Sequence, residues 1–389
     1  MAELETGETF GPLTVAAVDA FLFRAPLATP RRNAFGVMRD RPALLVRLRD
    51  AEGVEGWGEA FCNWPSFAAE HRYRIVTEIL APLVAGQTFA GPSDLYGRLT
   101  AATRAIRIQS GEHGPFEQAV AALDIAAWDL AGRRAGQPVR SLLAGAAARS
   151  CVPVYASALT TGNLDSGVAA AKARGVKAFK LKVGFGARED GAALERLRGL
   201  VGDEARLMVD ANQRWDVEEA IGAIAALVPW RLDWIEEPLS AEASVDDWCR
   251  LAARSPLPLA AGENMRGAAS FERAVADGWL RVAQPDPIKW GGLSALWPLA
   301  GRLLAHGSRF CPHYLGGGIG LIATAHLLAA SGGDGLLEVD VSENPLREGL
   351  AQPFPTISDG HMHLGEGPGL GVVPDLARAD LVQATTRDV

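Results

Sequence analysis

AFKLKVG (178–184), ARLMVDAN (205–212), LDWIEEP (232–238) and LPLAAGE (257–263) share one design. Each is an apolar, strand-length run ending at an ionisable side chain: Lys182, Asp210, Glu236 and Glu263. Segments rich in Ala, Leu and Arg separate them, long enough for the crossover helices that parallel strands require. Working outward, CVPVYA (151–156) precedes the four; LRVAQPD (280–286), SRFCPH (308–313) and GLLEVD (335–340) continue the rhythm and carry Asp286, His313 and Glu338. Eight strands alternating with helices predict an α/β fold, a (β/α) barrel. Seven successive strands then deliver one reactive group each, spaced 28, 26, 27, 23, 27 and 25 residues apart. In such a barrel the C-terminal strand ends converge on one face, so residues remote in sequence line one pocket. A doubly wound sheet is the competing fold, but it gathers fewer strand ends around one point.

The chain before this rhythm reads differently. TVAAVDAFLF (14–23) and ALLVRLRD (43–50), followed by AEGVEGWGEA, predict antiparallel strands joined by Gly-containing turns. EQAVAALDIAAWDLAGRRAG (117–136) predicts a helix with Ala119, Leu123, Ala126, Ala127 and Leu130 near one face and Gly136 at its stop. An α+β domain over 1–148, a barrel over 149–340 and a C-terminal segment over 341–389 follow. The length of 389 residues suits this division, since a barrel takes about 250 residues.

Apolar residues make up 48% and charged residues 22%, the balance of a globular protein. A formal charge of −8 offers no basic footprint for nucleic acid or an anionic membrane, so a small molecule is the expected partner. The start, MAELETGETFGPL, lacks the basic-then-apolar pattern of a leader, and no run approaches the roughly 18 apolar residues of a membrane helix. A cytoplasmic location is the resulting expectation. Cys62, Cys151, Cys249 and Cys311 stand far apart, which argues against a zinc cluster or disulfide framework and for buried, reduced thiols.

Asp210, Glu236 and Glu263 are three carboxylates on consecutive strands, and converging anions need a hard cation. Oxygen ligands suit Mg2+, whereas zinc recruits His or Cys more often. Lys180 and Lys182 project from the same side of one strand, so each ammonium should lower the other's pKa and ready one as a base. Asp286 and His313 lie on adjacent strands, an orienting carboxylate beside a general acid/base. Glu338, if protonated, would donate a hydrogen bond to a substrate carboxylate. Asn212, Glu237 and Lys289 adjoin these groups and suit a supporting role. His71, His113, His306, His326, His361 and His363 read as structural.

Taken together these residues resemble the enolase superfamily, specifically its mandelate racemase/muconate lactonizing enzyme-like subgroup. The resemblance rests on KLK (180–182), VDAN (209–212), WIEEP (234–238), GEN (262–264), QPDPIKWGG (284–292), CPHYLGGG (311–318) and LLEVD (336–340), with GWGEA (56–60) and AALDIAAWDLAGRRAGQPV (121–139) in the first domain. It implies a TIM-type (β/α)7β barrel under an N-terminal α+β cap, with the C-terminal segment returning to the cap. It further implies Mg2+ on Asp210, Glu236 and Glu263, Lys182 as a base, Asp286 and His313 as a dyad, and Glu338 as an electrophilic acid. A lysine or histidine base with magnesium is the known arrangement of that superfamily, carried over here rather than read from spacing.

The resemblance also implies that cap loops near 27–41 and 61–67 choose the substrate, which brings in Arg31, Arg32, Phe35, Arg39, Arg41 and Trp64. The implied reaction is abstraction of a proton α to a carboxylate through a metal-stabilised enediolate, most often in acid-sugar dehydration. Racemases and cycloisomerases share the residues, and the Gly-rich loop after His313 with SENPLRE (342–348) resembles the galactarolactone cycloisomerase type. A homo-oligomer is implied as well. A catalytically inactive binding protein would lack ligands or bases, and none is missing; a zinc or flavin barrel would need a Cys/His cluster.

Overall fold

The structure, a computed structural model, describes residues 11–33 and 36–377, without the side chains of Thr29, Arg31, Arg32 and Asn33. Phe35 and the Arg31 and Arg32 side chains lie outside the described residues. The first domain holds a three-stranded antiparallel sheet: β1 (Ala17–Asn33), β2 (Gly36–Arg49) and β3 (Glu55–Ala60). Its register shifts between Pro26 and Arg31 of β1, where proline cannot supply a ladder N–H.

Helix α1 (His113–Ala135) lies across this sheet and stops at Gly136, whose φ of 64° satisfies the left-handed cap. The sequence predicted one apolar face; instead Gln118 through Gly132 are buried all round. The helix is enclosed between the cap sheet and the barrel, which explains its run of small residues. Gly56 and Gly58 bring β3 into backbone contact with it, since a Cβ there would come 2.2 Å from the Ala126 carbonyl and 1.9 Å from that of Ala122.

The barrel consists of β4 (Cys151–Leu159), β5 (Ala178–Lys182), β6 (Arg206–Asp210), β7 (Leu232–Glu236), β8 (Leu259–Ala261), β9 (Val282–Ala283), β10 (Arg309–Phe310) and β11 (Leu337–Asp340). Neighbours pair in parallel from β4 to β10, and β11 returns to β4, aligning Leu337–Asp340 with Val154–Ser157. Between β10 and β11 the wall closes on Gly335, which sits so near the Phe310 carbonyl that a Cβ would approach to 1.8 Å. The architecture is thus an N-terminal α+β cap on an eight-stranded α/β barrel.

The barrel interior explains why polar groups collect at one end. Tyr155, Ala178, Met208, Trp234, Ala260, Val282, Cys311 and Leu336 form one buried cluster, with each of the eight strand segments contributing one residue. Side chains on a strand alternate with period two. Two positions further along each segment stand Ser157, Lys180, Asp210, Glu236, Gly262, Gln284, His313 and Glu338. An apolar plug therefore floors a polar ring.

Helices α2 (Gly292–Ala305) and α3 (Gly318–Ser331) flank the later strands. The C-terminal segment adds β12 (Thr356–Ser358) and β13 (His361–His363), the latter antiparallel to the start of β4. It then reaches α1, where Leu370 N–H donates to Asp129 at 2.6 Å and Arg133 donates to the Val372 carbonyl at 2.7 Å. All four cysteines are free thiols; Cys62 and Cys311 are buried as expected, whereas Cys151 and Cys249 are half-exposed. Among the described residues no helix is long and apolar enough to cross a membrane.

His326 of α3 joins this tail to the first domain. Its Nδ1 accepts from Arg140 N–H at 3.1 Å and its Nε2–H donates to the Leu370 carbonyl at 3.2 Å, a pairing available only to the neutral ring. Burial, with Arg140 nearby, pulls its pKa down to about 3. Below about pH 6.5 the unfolded chain takes up a proton that the fold refuses, so this contribution is present at neutral pH and lost as pH falls toward 3. The stability advantage of the native chain over His326→Gln should therefore shrink by about 2 kcal/mol between pH 7 and pH 5 in urea unfolding. A pH-independent difference would show that His326 is not neutral in the fold.

Candidate active site

The polar ring is built around Lys180. Its ammonium, 2% exposed as a residue, sits 2.6 Å from Glu236 Oε2 and 3.0 Å from Glu338 Oε1, with the Tyr155 hydroxyl at 3.4 Å. Burial works against its charge, but Glu236 and Glu338 outweigh burial and hold the pKa well above its ordinary value. Gln284 also donates to Glu236 Oε2, at 2.6 Å. Burial pushes the Glu236 carboxyl up to about 7, with Lys180 opposing and the charges of Asp210 and Glu338 adding to the rise.

Two of the ring carboxylates, Asp210 and Glu236 on β6 and β7, also stand in ladder register with Lys182 of β5. Lys182 Nζ meets Asp210 Oδ2 at 2.5 Å, and Asn212 N–H donates to Asp210 Oδ1 at 2.8 Å. Glu263 follows Gly262, whose missing side chain lets β8 lie against the next strand: a Cβ would come 2.4 Å from the Gln284 carbonyl carbon. Glu263 faces His313 Nε2 at 2.9 Å and Lys289 at 3.5 Å. Asn264 bridges Glu237 (2.9 Å) and Glu263 (3.2 Å), while Lys289 donates to Asn264 Oδ1 at 3.1 Å. The row Asp210, Glu236, Glu263 is thus flanked by Lys182 at one end and His313 at the other.

His313 Nδ1 lies 2.7 Å from Asp286 Oδ2, and Asp286 is itself fixed by Ile288 N–H at 2.9 Å. Burial disfavours an imidazolium, but Glu263, Glu338 and Asp286 outweigh it and raise the pKa well above 6.5. The same logic corrects two expectations. Burial and Lys180 do lower the Lys182 pKa, but Asp210 prevails and the value is raised. The expected role of Glu338 as a donor requires its protonated form. Burial favours that form, but Lys180 and His313 overcome it and hold Glu338 below its usual range, so here it accepts from Tyr314 N–H at 3.3 Å.

Three anionic groups in one row fit a hard divalent cation by donor chemistry. Crowding points the same way, since burial and the charges of Glu263 and Asp210 drive Glu237 well above its ordinary value. Among the described residues no three His, Cys, Asp or Glu side chains close into a ready metal cage. The carboxylates turn instead to Lys182, Lys180 and His313.

The cap reaches this mouth through the 61–67 loop, with the Phe61 ring 4.9 Å from Lys289 Nζ. Trp64 packs over Gly36 at the start of β2, where a Cβ would lie 3.4 Å from its ring. Arg39 is exposed, but Arg41 is not available to a ligand: it is buried and bound to Asp340 at 2.6 Å. Sequence reasoning passed over Ser157, Gln284 and Tyr155. Period two would have found them: Gln284 lies two residues before Asp286, and Tyr155 and Ser157 are the plug and ring positions of β4.

A (β/α) barrel whose strand ends carry a lysine, a carboxylate row and an Asp–His dyad defines the enolase class of enzymes. The chain belongs to that class: residues 17–144 match the mandelate racemase/muconate lactonizing enzyme N-terminal domain and 165–379 the enolase C-terminal domain-like family. It is therefore an enolase-superfamily lyase or isomerase. It is 30% identical to D-galactarolactone cycloisomerase of Agrobacterium fabrum, over 92% of this chain and 96% of that protein. Against L-talarate/galactarate dehydratase of Salmonella typhimurium it shows 31% identity, over 89% and 85%. A solved mandelate racemase/muconate lactonizing enzyme from Bordetella bronchiseptica superposes with a TM-score of 0.88 at 47% identity, covering 94% and 98% of the two chains. A Bradyrhizobium enolase complexed with magnesium and mandelic acid gives 0.83 at 30% identity, covering 96% and 99%.

Arg41→Ala should lower unfolding stability by about 3 kcal/mol, because it removes the cation paired with the buried Asp340, leaving that carboxylate only Ser342 and the more distant charge of Arg347. Arg39→Ala should stay within about 0.5 kcal/mol. Equal losses in the two variants, measured by urea unfolding, would refute the distinction.

Proposed function

We propose that this chain removes the proton α to the carboxylate of an acid sugar, an aldonate or aldarate, and eliminates water from it. The carrying observation is the carboxylate row Asp210, Glu236, Glu263 flanked by Lys182 and by His313, which Asp286 orients at 2.7 Å. The three carboxylates would hold Mg2+, which when bound neutralises them and stabilises negative charge gathering on the substrate carboxylate. Neutralising Asp210 and Glu263 also relieves two of the charges that keep the Lys182 and His313 pKa values high. One of this pair takes the α-proton, and the other, protonated, delivers a proton to the β-hydroxyl as its C–O bond breaks. Water leaves and a 2-keto-3-deoxy acid remains after tautomerisation.

Lys180 stays between Glu236 and Glu338, fixing the floor of the site. Asn212, Glu237 and Lys289 brace the row, and Arg39 and Trp64 on the cap would choose among acid sugars. The match over 92% of the chain to a cycloisomerase supports a second reading, in which the same pair of groups acts on a sugar lactone.

Lys182→Ala and His313→Asn should each lower turnover at least about 10³-fold while the fold and Mg2+ binding persist. Full activity in either variant would sink the two-group scheme. Incubating the native chain with Mg2+ and a panel of aldonates, aldarates and their lactones in D2O separates the outcomes by NMR. A 2-keto-3-deoxy product supports dehydration, lactone rearrangement supports cycloisomerisation, and stereochemical inversion with deuterium uptake would replace both by racemisation.

A further inference from the structure

The end of β3 and the residues after it, 59 to 63, brace both members of the dyad from the cap. Glu59 is 1% exposed, and its carboxylate accepts from the N–H groups of Gly317 and, at 2.8 Å, Gly320. These lie at the start of α3, a 14-residue helix whose first turn directs N–H groups and positive dipole toward the carboxylate. The loop from His313 to α3 is moulded to this contact. A Cβ at Gly316 or Gly317 would come 2.9 Å from Glu59 Oε1, and the Tyr314 hydroxyl donates to the Gly317 carbonyl. Asn63 holds the same loop by donating to the Leu315 carbonyl at 2.8 Å. On the other side, Phe61 N–H donates to the Ile288 carbonyl at 3.1 Å, and Ile288 N–H is the donor that fixes Asp286.

A short cap segment therefore grips the Asp286 loop with its backbone and the His313 loop with two side chains. Glu59 is buried, and the groups it binds, Gly317 and Gly320 with the Tyr314 side chain beside them, all belong to the loop and helix start that follow His313 and none to the carboxylate row, so its influence on the site passes through that loop.

We propose that Glu59 is a positioning residue for His313, holding the loop that carries the imidazole in register with Asp286. This rests on reading His313 as an acid/base. It ties the cap loop beside the mouth, residues 61 to 67, to the geometry of the dyad beneath it. A displacement of about 1 Å at such a group costs on the order of 10² in rate.

Burial pushes the Glu59 carboxyl up to about 7, so Glu59→Gln, a neutral side chain of equal size, fits the space while giving up one of the two acceptor oxygens. Asp129→Asn is the comparison: Asp129 is equally buried and also links α1 to other elements, accepting from Trp57 N–H at 2.8 Å, but makes no contact with either dyad loop. The first readout needs no substrate. The downfield proton resonance of the His313–Asp286 hydrogen bond, assigned by its loss in His313→Asn, should shift or exchange-broaden in Glu59→Gln and hold its position in Asp129→Asn. With whichever acid sugar the native enzyme turns over, kcat of Glu59→Gln should fall about 10- to 100-fold with KM changed less than about threefold. Asn63→Ala should show the same signature in weaker form, and it decides the matter if Glu59→Gln does not fold. An unmoved resonance with unchanged kcat, or equal changes in Asp129→Asn, would overturn the proposal. If the native enzyme acts on no acid sugar, the functional reading fails while the resonance still decides the positioning role.

Discussion

Everything at the catalytic end of this barrel depends on one buried ammonium held between two carboxylates. Lys180 bridges Glu236 on β7 and Glu338 on β11 and so links three strands across the interior. Desolvating three charges is expensive, and the arrangement stands because each carboxylate has further donors: Gln284 for Glu236, and Tyr314 N–H for Glu338. Removing the ammonium would leave two buried anions facing the same space. The ring can exist at all because an apolar plug closes the barrel beneath it and keeps its hydrogen bonds in low dielectric.

The cap is joined to the barrel by the same physics in a different form. Buried carboxylates on the cap receive backbone N–H groups of the barrel and tail: Asp124 from Leu293 and Ser294 at the start of α2, Asp129 from Leu370, and Glu59 from Gly317 and Gly320. Orphan donors at helix starts are thereby satisfied, and most of the carboxylate oxygens are paired, Asp124 Oδ1 being the exception. Burial drives Asp124 up to about 7, a measure of how strongly the interior resists its charge. Glycine recurs at these joints because the buried carboxylates come too close to the backbone for a side chain there, as at Gly292, where a Cβ would lie 2.2 Å from the Asp124 carboxylate.

The strand rhythm, the antiparallel sheet of the first domain and the stop of α1 at Gly136 could be read from the chain, since periodicity and turn residues are local properties. The pairing of Asp286 with His313 could be anticipated from adjacent strand ends. The burial of α1 on every side could not, because a helix enclosed between two layers shows only a diffuse apolar pattern, and Asp124 and Asp129 look like solvent-facing residues until their amide partners are seen. Arg41 was similarly ambiguous. Only the fold brings Asp340, about 300 residues later, to 2.6 Å from it.

By itself the sequence determined which chemistry the strand ends carry and, through period two, which side chains share the barrel interior. Protonation was beyond its reach. Spacing predicts that Lys180 lowers the Lys182 pKa, whereas the fold places Asp210 against Lys182 and reverses that; the resemblance implies Glu338 as an acid, whereas the fold sets Lys180 against it and holds its carboxyl low. A side chain's charge state is set by burial and by every charge within a few ångströms, and those distances are decided only when the barrel closes and the cap docks.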